Sequence, residues 1–169
     1  MIIWISSYPK SGNTYLRSFL SSYYYSKEGN FDFNLLLNIN QFPASRYSDV
    51  KSYTYFDAAK NWIYNQKKFF TKEKLFFLKT HNSLQEYLGY RFTKSSETLG
   101  AIYIVRDPRN VITSMCNHYS MSLNEMYSKM VDENASLSIK DSDGDLSNFS
   151  FLGSWSNHYK SWKNNFEFK

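Results

Sequence analysis

Three short stretches of this chain hold side chains able to grip anions and move a proton. Tyr8-Pro9-Lys10-Ser11-Gly12-Asn13-Thr14-Tyr15 follows the apolar run Ile2-Ile3-Trp4-Ile5 and precedes a helical pattern. A strand, a tight loop of small donors and a helix N-terminus together make a phosphate cradle. Backbone N–H groups around Ser11, Gly12 and Asn13 can point at an anion, Gly12 permits close backbone approach, and Lys10 adds a mobile positive charge. The usual nucleoside triphosphate loop ends in Gly-Lys-Ser/Thr after an upstream Gly. Here Lys10 stands two positions before Gly12 and no Gly lies upstream, which argues against an ordinary ATP or GTP hydrolase. A bare turn joining strand to helix would explain this loop alone equally well.

The second stretch starts with the apolar run Ala101 to Val105, of strand length, and ends in a charged turn at Arg106-Asp107-Pro108. Pro108 suits the first residue of a helix, and Ser114 lies eight positions after Arg106, about two helical turns along. An Arg fork and a Ser hydroxyl make a second candidate anion site. The alternative is Asp107 capping the helix beside a solvated Arg106. The third stretch, Leu75-Phe76-Phe77-Leu78-Lys79-Thr80-His81, is another short apolar strand whose end delivers Lys79 and His81. Histidine suits general acid–base work near neutral pH, and open α/β sheets collect ligands at strand ends.

Together these residues resemble the sulfotransferases that use 3′-phosphoadenosine 5′-phosphosulfate as sulfuryl donor. Tyr8 to Thr14 is similar to their 5′-phosphosulfate loop, with Asn13 where many members have Thr. Tyr103 to Ser114 is similar to their 3′-phosphate motif, and Lys79-Thr80-His81 to the segment carrying their catalytic base. Gly153-Ser154-Trp155, followed by His158 and Trp162, also resembles a stretch of these enzymes. The resemblance implies His81 as general base, Lys10 at the leaving oxygen, and Lys79 and Ser11 orienting the sulfonate. It implies donor binding by Lys10, Ser11, Gly12, Asn13, Thr14, Arg106 and Ser114. Tyr15 takes the place of an aromatic that stacks on adenine, with plain core packing as its other reading. No metal is implied, and the acceptor is expected to be a small molecule bearing a hydroxyl or amine.

The elements that must position these residues read as strands near 2–7, 75–79 and 100–105 and helices near 13–25, 57–70 and 108–120. Residues 121–135 are expected to continue as helix, 151–165 to form another, and 26–56 to be irregular. Strand alternating with helix predicts an α/β fold, a largely parallel sheet with helices on both faces. The resemblance makes this a P-loop-like three-layer sandwich forming a single domain over residues 1–169. Phe166-Glu167-Phe168-Lys169 reads as the beginning of a further strand, and no Arg-Lys-Gly segment of the family's type occurs. The fold is accordingly expected to be incomplete at its C-terminal end.

A net charge of +5 suits an anionic cosubstrate, and equally nucleic acid. A nucleic-acid module would leave Lys10, His81, Arg106 and Ser114 unexplained, and a small-molecule kinase should show the standard phosphate loop and a metal-holding Asp. No nucleic acid partner is therefore expected. The single cysteine, Cys116, reads as packing and suits a reducing cytoplasm, and neither leader nor membrane span is evident. Most of the Tyr and Phe side chains are expected in the core or at interfaces. Asp141-Ser142-Asp143-Gly144-Asp145 invites a calcium reading, but it lacks the later Glu of an EF-hand and reads instead as a solvated loop. Acceptor specificity is expected to lie in residues 26–56, 82–98 and 121–150.

Overall fold

An apolar run with no polar residue before Ser6 is buried on both faces only at the centre of a sheet. The computed structural model describes residues 1–69, 74–139 and 142–169. In it the run forms β1 (Ile2–Ser7), lying between β2 (Phe76–Thr80) and β3 (Thr98–Ile104) in the order β2-β1-β3, all parallel. Parallel pairing brings Ser7, Thr80 and Ile104 to one edge, so the loops that follow them are neighbours.

Side chains on the even-numbered face of β1 enter an aromatic core. Trp4 and Leu78 share it with Trp62 of α2 (Tyr55–Gln66) and Trp162 of α5 (Trp155–Lys163). Trp62 stacks on Phe149 with 5.7 Å between centroids and an interplanar angle of 3°, and its Nε1 donates to the Phe149 carbonyl at 3.2 Å. The opposite face meets α1 (Asn13–Tyr25), where Tyr24 packs on Phe77 of β2. Helices therefore cover both faces, as expected. A second apolar cluster joins Tyr8 and Leu152 to α3 (Pro108–Tyr119) and α4 (Leu123–Val131) through Val111, Met115 and Met126, with Cys116 half-buried against it. The expectation that most aromatics are packed away does not hold along α1, where Tyr15, Phe19 and Tyr23 are exposed.

Several boundaries differ from the sequence reading. α2 begins at Tyr55, because Thr54 and Asp57 form a reciprocal capping box, and it passes into a 3-10 turn at Lys67–Phe69. Phe70, the expected last residue of that helix, lies outside the described residues. The helix expected over 121–135 does not continue from α3, since Ser120 takes a left-handed φ of 54° and ends it. Ser122 and Glu125 then cap α4, which stops at Val131. Beyond it β4 (Ser136–Leu137) pairs antiparallel with β5 (Ser150–Phe151), a ribbon not read from the sequence, so α5 starts only after Ser154 caps Asn157. The irregular region 26–56 contains 3-10 turns at Phe33–Asn38 and Ser45–Tyr47.

Phe166–Lys169 forms no strand. The Lys169 carbonyl does accept from Ala101 N of β3 at 2.7 Å, and Gly100 makes room, since a Cβ there would meet that oxygen at 2.7 Å. Of the acidic loop, Asp141 lies outside the described residues, Asp143 pairs with Lys51, and Asp145 is buried, accepting from Ser52 N at 2.9 Å and Ser147 Oγ at 2.7 Å. Asp145 is thus a buried brace for the Ser52 turn and not part of a solvated loop. No helix among the described residues is long and apolar enough to cross a membrane.

Replacing Trp62 by Phe keeps a ring in the core but leaves the buried Phe149 carbonyl without its donor. The expected loss is about 2 kcal/mol in urea unfolding, and a variant as stable as the parent would contradict this account of the core.

Candidate active site

β1 delivers the chain into the Tyr8–Tyr15 loop with Tyr8 and Pro9 buried, Lys10 at φ 62° and Gly12 at φ 103°. Gly12 occupies the N-cap of α1 and offers no side-chain cap, so the first N–H groups of the helix keep their donors toward the loop's concave side. Asn13 braces the loop from beneath, donating to the Ile5 carbonyl at 3.0 Å and to Ser7 Oγ at 3.1 Å. Ser11 Oγ and Asn13 Oδ1 are buried without a hydrogen-bond partner among the described residues.

Arg106 follows β3. It donates to the Lys10 carbonyl at 3.1 Å, while the Asp107 carboxylate caps α3 through Arg109 N at 2.9 Å and is held down to about 2 by its bonds to Arg109. Asp107 caps the helix and Arg106 is solvent-exposed, as the alternative reading has it, while Arg106 also reaches across to the loop.

Lys79 and His81 stand at the end of β2. Asn40 and Phe42 exchange backbone bonds with Lys79 at 2.8 Å each, bringing Gln41 Oε1 within 3.0 Å of Lys79 Nζ. Arg17 of α1 holds this region by donating to the Leu36 and Ile39 carbonyls at 3.0 and 2.6 Å. Burial, and then the Arg17 charge, lower the Lys79 ammonium to about 8. His81 Nδ1 lies 2.7 Å from the Ser7 carbonyl and 3.3 Å from Ser7 Oγ. A carbonyl can only accept, so Nδ1 carries the proton and Nε2 is the bare nitrogen. Burial first, then the charge of Lys79, lower His81 to about 3 and keep its ring neutral.

These groups surround one cleft of about 680 Å³. Of the expected site residues, Lys10, Gly12, Asn13, Thr14, Lys79, His81, Arg106 and Ser114 line it, whereas Ser11 and Tyr15 do not. Ser11 is buried in the loop, and Tyr15 is 83% exposed, which removes its core-packing reading. Gln41, Tyr119, Asn148 and Ser150 also line the cleft and were missed, as was Arg17 behind it. Gln41 and Ser150 arrive through pairing with distant strands, which leaves no local pattern. No Asp or Glu is among the described lining residues, so Lys10, Lys79 and Arg106 make the cleft positive. Such a cleft can hold a doubly anionic ligand beside a neutral nitrogen base.

A family model described as Sulfotransferase domain matches residues 2–168 and supports a sulfotransfer function. No curated protein matches the chain.

His158 of α5 is fully buried behind His81, and burial lowers it to about 4 from an ordinary 6.5. The unfolded chain therefore takes up this proton first, so stability is complete above pH 6.5 and is lost as the pH falls toward 4. Urea unfolding should show a decline approaching about 1.4 kcal/mol per pH unit from this group within that window. A flat profile between pH 6.5 and 5 would show that His158 is not buried in its neutral form.

Proposed function

The chain belongs to the sulfotransferase domain family, and we propose that it transfers a sulfuryl group from 3′-phosphoadenosine 5′-phosphosulfate to a hydroxyl of a small acceptor, acting as one domain. The observation that carries this reading is the meeting of the Lys10 loop, Arg106 with Ser114, and a histidine with a bare Nε2 around one cleft. The loop suits the phosphosulfate end, since it joins an uncapped helix N-terminus, the Lys10 ammonium and the buried, unpartnered Ser11 hydroxyl. Arg106 and Ser114 suit the 3′-phosphate, and exposed Tyr15 leaves a ring face open to the adenine.

When bound, the donor supplies a sulfuryl group on a phosphate leaving group. The acceptor oxygen forms a bond to sulfur as the bond from sulfur to the phosphate oxygen breaks, and the acceptor's proton passes to His81 Nε2. Lys10 offsets the charge growing on the departing oxygen, while Lys79 and Ser11 orient the sulfonate. A ring held to about 3 is always available as a base but a weak one. Anions placed beside Lys79 would offset one of the charges that depress it and so raise its basicity when the donor is in place. The positive lining favours a neutral hydroxyl over an ammonium acceptor, which would meet three cations and no described carboxylate.

Calorimetry with 3′-phosphoadenosine 5′-phosphate and with AMP tests the donor assignment. The first should bind more tightly, and Arg106→Ala should erase roughly a tenfold share of that preference; equal affinities would sink the proposal. Transfer of labelled sulfate to a panel of alcohols and phenols tests the base, with His81→Ala expected to lose about a hundredfold or more in rate while still binding donor. The Lys79 ammonium is present below about pH 8 and lost above it. Turnover should therefore fall on the alkaline side of that value, and Lys79→Arg should move the limb to higher pH.

A further inference from the structure

His158 is the one fully buried histidine, and its hydrogen bonds have a fixed direction. Its Nε2 lies 3.0 Å from the His81 carbonyl, which can only accept, so Nε2 carries the proton. Its Nδ1, 2.9 Å from Tyr103 Oη, is then the acceptor of the Tyr103 hydroxyl. The His81 side chain in turn donates from Nδ1 to the Ser7 carbonyl at 2.7 Å.

The bonds form a chain. Tyr103 donates to His158, His158 to the His81 backbone, and the His81 side chain to the Ser7 carbonyl. Both histidines have their tautomers set. A protonated His158 would turn a second donor on the Tyr103 hydroxyl and take away the acceptor of its hydrogen, so this chain of bonds is the one made by neutral His158. Tyr8 meets the His158 ring edge-on with 5.4 Å between centroids, and Trp162 stacks beside Tyr103, so these side chains have little room to turn.

We propose that His158 and Tyr103 are positioning residues for His81. Tyr103 sets the tautomer of His158, His158 fixes the backbone at the strand end, and His81 is thereby held with Nδ1 protonated and Nε2 bare toward the cleft. The proposal rests on the reading of His81 as the base, but its test does not require that reading to be right. Tyr103→Phe removes only a hydroxyl and keeps the packing against Trp162, while His158→Gln keeps an amide able to donate to the His81 carbonyl.

Nitrogen-15 spectra of the His81 imidazole in the full chain report its tautomer directly. The parent should show the Nδ1–H form alone, Tyr103→Phe should show a mixture of tautomers, and His158→Gln a smaller change in the same direction. On the acceptor selected from the alcohol and phenol panel, Tyr103→Phe should lower kcat about tenfold with the KM for donor within about twofold of the parent. An unchanged His81 tautomer in folded Tyr103→Phe would overturn the proposal, whether or not kcat falls, since a fall without it would reflect general damage. A shifted tautomer with kcat unchanged would uphold the positioning role and remove His81 as the base. Should His158→Gln fail to fold, Tyr103→Phe decides alone.

Discussion

Three strands that pair in parallel have their carboxyl ends at the same edge, and β1, buried between β2 and β3, makes that edge compact. Every group of the candidate site depends on this. Ser7 pairs with Ile104 across one side of β1, and Ser6 with Thr80 across the other, so the loop from Tyr8, the turn at Arg106 and the His81 segment emerge within one neighbourhood. Antiparallel pairing would have sent one of the three to the opposite end of the sheet. The aromatic core on one face and α1 on the other hold the sheet in place, and Trp4, with no exposure, ties its own strand to β3 through the Thr98 hydroxyl at 2.9 Å.

Burial at that edge then sets the electrostatics. The same packing that brings Lys79 and His81 together removes water from both, and with Arg17 close by each charge discourages the next. The cleft gathers cations without a described carboxylate to balance them. In isolation such an arrangement is costly. It becomes favourable when an anion enters, which is the physical sense of calling it a binding site: charge that destabilises the free protein is recovered in affinity for a ligand of opposite sign.

How much of this was legible in the sequence follows from how local each signal is. Each strand of the sheet is an apolar run ending in a polar cluster, so the strands, their ends and the cationic cleft residues could be read within a few residues of chain. Two helix starts were equally open to reading. Thr54 with Asp57 and Ser122 with Glu125 both have capping-box spacing, yet the first was placed late and the second absorbed into a longer helix. The left-handed Ser120 gave no such warning, because serine rarely adopts that backbone unless its surroundings require it. Gln41, Ser150 and Arg17 were beyond reach for a different reason. They arrive by pairing and packing across long separations, and a glutamine in an irregular stretch looks the same whether or not it meets a lysine.

His158 shows where local reading ends and three-dimensional reading begins. It lies four residues before Trp162, and both are buried on the inner side of α5, a spacing that in sequence marks a helix face and nothing more. Its role comes from the direction of its hydrogen bonds. A neutral histidine between a carbonyl and a hydroxyl is held in one tautomer, and a peptide whose C=O receives the His81 ring cannot rotate without breaking that bond. The Tyr8–Tyr15 loop and the His81 ring are therefore joined through one peptide. The peptide that begins the loop is also the peptide that orients His81, so a shift in the loop must move that ring as well.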